Sequence, residues 1–540
     1  MSFFTNPAIA ADYYKIAHPH MQPPGTTRVY STWTARSNKH HPGCEKTVVF
    51  GYQYTIRRFF IDFFEENFFS QPIDALEKEF RDMMSETFDS RYGDFERFRK
   101  LHELGFLPID VWGLPEGSII PIGVPDHVIF NTHPDFAWLP QYLEDIWSAN
   151  NWMPSTSATT AYYRRRILAP YVDKTCDNPS ESLKHMCGDF SMRGHTSIDA
   201  AAISGAAHAL SFDRTATILS NALLKQYYSA RPEDLMRGTP SLEHSVVEQG
   251  VAWMRNRLAD GTLPDYTKKY VKEAIKDNWE VNLVAEMCFL LYLLVEVQPK
   301  GVMTYVSDTY DYWGVVSKIL PLIKPEILMR NGVLSVRPDS GDPYKIICGD
   351  KDAEPGSPEF KGTMGCLFEI FGYTKNQKGC SILPSNIRMI YGDAITAHIT
   401  EDVARDFYQR GWSLDNICFG IGAYTYQYVT RDTRGYAIKA TECFHEEYGE
   451  TAIFKSPKTA AWKKSLKGCA CIYKDPEDEY RVVDNMSFNE AFSEMERGNT
   501  AYIQQFHKGV MVTEETFEEI HNRFYEEEAK DIAYDNNRLF

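Results

Sequence analysis

Arginine and aspartate set among prolines and glycine make SVRPDSGDP, residues 335–343, the segment with the densest chemistry in the chain. Arg337 can only donate hydrogen bonds and Asp339 can only accept them, a combination suited to a ligand carrying an anion or carbonyl beside vicinal hydroxyls. Pro338 and Pro343 restrict the backbone on either side, and Ser340-Gly341 supplies a turn. The same residues also suit a plain Arg–Asp tie holding a surface loop. Similar short signatures recur: GDFSMRG (188–194), LEHS (242–245), VSDTYD (306–311), YGD (391–393), FGIG (419–422) and TRD (430–432). Each is weak alone, because Asp and Gly are common in turns and a lone His is usually structural. Together they offer acids, arginines, a histidine and glycine turns for one ligand site.

The segments before these signatures read as short strands. GVMTYVSD, GVLSVRPD, IRMIYGD, NICFGIG and HALSFDR are β-rich and end at Asp, Gly or Arg, with room between them for helices. This is a βα series, and it predicts a barrel or open parallel sheet with the site at the carboxyl ends of its strands. Upstream, RVYSTWTAR and KTVVFGYQYTIRRFF read as strands or a helix start, residues 61–105 have helical spacing, and residues 110–134 return to short strands. Residues 135–170 read as helix, turn, helix. After Arg431 the periodicity weakens, which predicts a carboxyl segment packed back on the amino-terminal strands. The divisions expected are 1–170, 171–430 and 431–540.

A chain of 540 residues, 43% hydrophobic and 24% charged, has the composition of a globular protein of more than one domain. Its formal charge of −17 argues against general nucleic-acid binding. Arg164-Arg165-Arg166 reads as an ordinary charged surface patch, and Lys455, Lys458, Lys463, Lys464 and Lys467 form a second basic cluster. The longest apolar run, between Glu286 and Glu296, is too short for a membrane helix, and the amino-terminal residues lack the pattern of a secretory signal. Eleven cysteines without a dense pattern point to a reducing cytoplasm. Walker A, GxGxxG, HExxH, zinc CxxC and GxSxG patterns are absent. A sugar phosphate remains, with anions for its hydroxyls or metal and cations for its phosphates.

The ordered series EHS, VSDTYD, RPDSG, GD, FG and TRD, preceded by ADYYKIAHPHMQPPGTTRVYSTWTAR, resembles the nicotinamide phosphoribosyltransferases, a branch of the type II phosphoribosyltransferases, across nearly the entire chain. The resemblance implies an α/β fold: an irregular (β/α) barrel-like domain with a second, mixed α+β domain built from both chain ends. It implies a head-to-tail homodimer whose sites straddle the interface, with Tyr14 of one subunit and Phe190 of the other clasping a pyridine ring. Arg337 would meet the base amide or ribose and Asp339 the ribose hydroxyls. Arg193 would serve the phosphate end, and Asp308 would line the reacting centre. Gly392 and Asp393 would receive the sugar, and Thr304, Gly422, Ala423 and Tyr424 would complete the substrate contacts. Arg36, Arg431, Lys439, Lys455 and Lys463 would hold pyrophosphate, with Mg²⁺ offsetting its charge. His244 would be transiently phosphorylated where ATP hydrolysis is coupled to transfer.

The activity so implied is transfer of phosphoribosyl from PRPP to nicotinamide, giving NMN and pyrophosphate. Two alternatives stay open: transfer from ADP-ribose pyrophosphate to make NAD directly, and a non-catalytic interaction protein. Two segments depart from the family pattern. SFDRTAT places Ala216 where an aspartate usually receives the carboxamide, leaving Asp213 or a backbone carbonyl as acceptor. FGIGAYTYQ puts Ile421, Ala423 and Tyr424 into a phosphate loop that is otherwise nearly all glycine.

Overall fold

The computed structural model describes residues 6–41, 43–455, 465–475 and 477–539. It divides into two compact units, one of residues 1–159, 222–234 and 429–540, the other of residues 160–221 and 235–428.

The first unit is built on a seven-stranded antiparallel sheet. Its strand order is Gly449–Ala452, Ala437–His445, Thr26–Thr34, Pro125–Asn131, Ile109–Gly113, Ile503–His507, Val510–Met511. Strands from both chain ends therefore pair directly, as when Trp33 sits opposite Ile438 and Asp110 opposite His507. Aromatic residues fill the core: Trp33 stacks on Tyr436 at 5.1 Å, and Tyr30 on Phe130 at 5.8 Å. A 32-residue helix, Glu144–Thr175, replaces the expected helix, turn, helix. Short polar side chains bond back within it, including Thr156 to the Trp152 carbonyl and Thr159 to the Ser155 carbonyl.

The second unit holds a six-stranded, wholly parallel sheet in the order Arg214–Thr215, Cys187–Asp189, Ile417–Ile421, Ile387–Tyr391, Asn331–Arg337, Lys300–Val306. Helices such as Ile198–His208, Leu320–Met329 and Ala397–Arg410 separate the strands in sequence, as parallel pairing requires. HALSFDR holds only the last residue of the first of these helices, His208; a turn follows it, and strand begins at Arg214 and ends at Thr215. The residues after that helix bond through the segment 237–242. There Thr215 N donates to the Arg237 carbonyl at 3.2 Å, and Leu242 N to the Thr304 carbonyl at 3.1 Å. The two edge strands thus share one irregular partner, which gives the sheet its barrel character. Leu334, Val336, Met389, Phe419 and Tyr305 are buried in this unit's core.

Arg164 and Arg165 do not form a surface patch. They are 2% and 4% exposed, and their guanidinium groups donate into the second unit's interior. Backbone carbonyls accept at these bonds.

Candidate functional site

In a parallel sheet every strand delivers its next residues to the same end. The second unit accordingly gathers Phe190, Ala216, Asp308, Arg337, Asp339, Gly392, Asp393 and Gly422 just beyond the carboxyl ends of six adjacent strands. Phe190 lies against bare backbone. A Cβ on Gly420 would stand 2.6 Å from its ring, and one on Gly392 would stand 3.5 Å away. Glycine at Gly420 is therefore what admits the ring. The Phe190 amide donates to the Ile421 carbonyl at 2.8 Å, fixing the ring's root.

The loop after Asn331–Arg337 is held from beneath. Asp308 Oδ2 accepts from Asp339 N at 2.9 Å and from Ser340 Oγ at 2.5 Å, while Tyr391 OH donates to the Ser340 and Gly341 carbonyls at 3.1 Å. Arg337 and Asp339 are consequently not the tie. Their closest approach, Nη2 to Oδ2, is 3.8 Å, beyond hydrogen-bond reach. Arg337 Nε is buried without a partner, as is Asp308 Oδ1, although the Asp308 side chain is only 4% exposed. These two atoms are therefore open to a partner at the strand ends.

His244 stands beside them at the start of the helix His244–Ala259, carried there by the segment 237–242. Its Nδ1 shares a hydrogen bond with Thr309 Oγ1 at 3.1 Å. Its Nε2 is 3.8 Å from Asp308 Oδ1 and 4.0 Å from Asp339 Oδ2. Thr304 is buried in its strand, and its backbone bonds to Pro240 and Leu242.

Arg193 is exposed on the turn after Phe190, and that turn abuts the helix Ala423–Gln427, because a Cβ on Gly194 would sit 2.0 Å from that of Ala423. Tyr424 is 59% exposed and stacks on Tyr428 at 5.0 Å.

Asp213 stands apart from this cluster. It precedes the strand whose other end carries Ala216, and its carboxylate receives His185 Nδ1 at 2.6 Å. That bond raises the His185 pKa. As a replacement acceptor for the base amide, Asp213 is at the wrong end of the strand.

The first unit carries the remaining candidates. Arg36, Arg431 and Lys439 feel one another: burial lowers the Lys439 pKa, opposed by Glu144 and reinforced by Arg36, Lys15 and Arg431. Burial, then Arg431, also lowers that of Arg36. The register that sets Glu442 opposite Ala452 continues in the bond from Ile453 N to the Thr441 carbonyl, and Lys455 N donates to Ser465 Oγ at 2.8 Å. Lys463 lies outside the described residues. Tyr14 is 51% exposed and shares a cleft of about 280 Å³ with Arg431, Asp145 and Trp152. Burial and the neighbouring Asp145, Asp12 and Glu144 push the Tyr14 hydroxyl up to about 12, so it is a neutral donor at physiological pH.

The nicotinate phosphoribosyltransferase (NAPRTase) family model matches residues 185–494, and the model of the nicotinamide phosphoribosyltransferase N-terminal domain matches residues 6–91. A nicotinamide phosphoribosyltransferase of Acinetobacter baylyi is 35% identical over 90% of this chain and 92% of its own. The chain belongs to the nicotinamide phosphoribosyltransferase family. A second relative of that name, from Mycoplasma pneumoniae, is 30% identical over 85% of this chain and 94% of its own. Among solved structures, human nicotinic acid phosphoribosyltransferase superposes with a TM-score of 0.54 at 15% identity, covering 96% of this chain and 93% of its own. The nicotinate-nucleotide pyrophosphorylase of Pyrococcus furiosus gives 0.53 at 13% identity, covering 98% and 99%.

Membership of the nicotinamide phosphoribosyltransferase family does not by itself point to the supporting residues that sequence reading missed. Asp189, fully buried, accepts from Ser191 N at 3.0 Å and Ser191 Oγ at 2.5 Å, and that hydroxyl meets His195 Nε2 at 2.9 Å. These bonds shape the turn carrying Phe190 and Arg193. An Asp directly before the aromatic residue was the available signal. Tyr391, which clamps the Ser340 turn, stood inside the YGD signature, where only its neighbours Gly392 and Asp393 were given roles.

Proposed function

We propose that the chain transfers the phosphoribosyl group of PRPP to nicotinamide, giving NMN and pyrophosphate. The observation that carries this reading is the convergence of Phe190, Arg337, Asp308 and Asp339 at one end of the parallel sheet, with Arg337 Nε and Asp308 Oδ1 held buried and unpaired. Relatives named as nicotinamide phosphoribosyltransferases support the choice of base and product.

In this mechanism the pyridine stacks on Phe190, and Arg337 meets its amide or the ribose. The ring nitrogen already holds a lone pair, so no general base is required. That nitrogen bonds to C1 as the C1–oxygen bond to pyrophosphate breaks, and the bonding pair leaves with the pyrophosphate. Asp339 accepts from the ribose hydroxyls, and Asp308 faces the positive charge that develops on the sugar. Arg36, Arg431, Lys439 and Lys455 receive the departing pyrophosphate. The protein's contribution is chiefly position and field.

Mg²⁺ fits this donor set: Asp308 and Asp339 offer hard oxygens of the kind it prefers, and the substrate's phosphates would complete its shell. No cluster of three candidate metal ligands occurs among the described residues. When bound, it supplies charge neutralisation for the leaving group. His244, with Nδ1 engaged by Thr309, would take a phosphoryl group from ATP on Nε2, releasing ADP. A homodimer in which one copy supplies Tyr14 and the other Phe190, working in the cytoplasm, completes the proposal. No helix among the described residues is long and apolar enough to cross a membrane.

The exposed Tyr424–Tyr428 stack favours a second reading, in which ADP-ribose pyrophosphate is the donor and an adenine finds an aromatic face. Incubating the protein with nicotinamide, Mg²⁺ and each donor, then weighing the products by mass spectrometry, separates the readings. NMN from PRPP supports the first. NAD from ADP-ribose pyrophosphate with no NMN from PRPP replaces it.

A further inference from the structure

The Arg164 guanidinium is buried inside the second unit, and its bonds join two loops that are distant in sequence. Nη1 donates to the Thr396 carbonyl at 3.1 Å and to Thr400 Oγ1. Nη2 donates to the Ile395 carbonyl at 3.2 Å and reaches Thr425 Oγ1 at 3.4 Å. Thr425 Oγ1 in turn donates to the Ile395 carbonyl at 3.3 Å. Ile395 and Thr396 follow Gly392-Asp393 after one residue, Ala394, and Thr425 directly follows Gly422-Ala423-Tyr424. One side chain therefore fastens together the turns that leave two neighbouring strands, Ile387–Tyr391 and Ile417–Ile421.

The first of these turns needs such a fastening. Ala394, between Asp393 and Ile395, sits at φ 52°, a left-handed conformation that a residue with a Cβ rarely adopts. The carbonyls beyond it are those that Arg164 holds. The four acceptors are all neutral, so they engage both Nη groups without cancelling the charge, while the buried Nε has no partner. Arg is suited to this task because its fork is planar and stays protonated even though burial lowers its pKa.

We propose that Arg164 is a positioning residue for the phosphorylated end of the sugar donor: it locks the Gly392–Asp393 turn to the Gly422–Tyr424 turn and places an uncancelled positive charge behind both. This rests on the reading of the second unit's strand ends as the donor site. Arg164 touches no substrate. It acts through the two turns, so its loss registers on the donor and not on the base.

The test is steady-state kinetics of R164M, R164K and T425V, varying PRPP and nicotinamide separately. R164M is expected to raise the KM for PRPP about tenfold or more, the scale of one lost charge-assisted bond network, while the nicotinamide KM moves less than about threefold. R164K, which keeps the charge but not the fork, should recover part of that loss. T425V should shift the PRPP KM in the same direction by less, and it keeps the test alive should R164M fail to fold. Binding of ribose 5-phosphate, followed by calorimetry, separates this proposal from the choice of reaction: weaker binding in R164M supports it even where PRPP is not turned over. Wild-type PRPP KM and ribose 5-phosphate affinity in R164M and T425V, or an equal rise in KM for both substrates, would overturn it.

Discussion

Replacing Asp308 with Asn separates the two tasks that its carboxylate performs. Oδ2 anchors the loop by accepting from Asp339 N at 2.9 Å and Ser340 Oγ at 2.5 Å, whereas buried Oδ1 has no partner and faces His244 Nε2 at 3.8 Å. An Asn oxygen can take over both anchoring bonds, since it carries two lone pairs. The anchor then changes from charge-assisted to neutral, a loss of about 1–2 kcal/mol in stability. At the other atom an acceptor anion becomes an amide donor, and the group stabilising positive charge on the sugar is gone. Losing one preorganised electrostatic contact of this kind costs about 3–4 kcal/mol of transition-state stabilisation, or roughly 10²–10³ in kcat. The assay is initial-rate NMN formation beside urea unfolding of the same preparations. A D308N protein that unfolds normally and keeps wild-type kcat would refute the reasoning and leave Asp308 as a peg for the loop.

Glu286, buried and bonded by Tyr305 OH at 3.1 Å, has its pKa raised from 4.5 to about 7, first by burial and then by Asp311 and Asp308. A raised folded-state pKa contributes stability that is fully present below about pH 4.5 and lost as pH rises through about 7, amounting to about 3 kcal/mol. E286Q, neutral at every pH, should therefore gain on wild type in urea midpoint between pH 5 and pH 8, and a constant gap would contradict this. His244→Ala should abolish ATP stimulation and acid-labile phosphorylation while leaving uncoupled NMN synthesis measurable. Stimulation that survives the change would remove His244 from the coupling.

Much of the second unit was legible because parallel strands write themselves plainly: short β-branched or apolar runs such as GVLSV and IRMIY end at turn residues that also carry the chemistry. Residues 187–189 were harder, since a three-residue strand gives no periodicity and was visible only through the GDFSMRG signature that overlaps its end. The long helix Glu144–Thr175 hid its continuity behind Pro154, and the arginines at 164 and 165 looked like surface because hydropathy cannot register a charge satisfied by carbonyls. Pairing of Arg337 with Asp339 was a natural guess from spacing. The actual anchor is Asp308, which comes from the adjacent strand and is invisible to local spacing. Asp213 looked near Ala216 in sequence, but the two-residue strand between them puts the two at opposite ends of that strand.

The proposed ribose site rests on the loop at Asp339. The carboxylate of Asp339 makes no side-chain hydrogen bond among the described residues, and its backbone is held independently by Asp308, so Asp339→Ala should leave the fold intact. The decisive measurement is kcat/KM for PRPP of purified D339A against wild type, with thermal unfolding as the control. Loss of a charge-assisted contact of about 1.5–3 kcal/mol predicts a fall of roughly ten- to a hundredfold at an unchanged unfolding midpoint. Full kcat/KM in a folded D339A protein would contradict the placement of the active site at the carboxyl ends of the parallel strands.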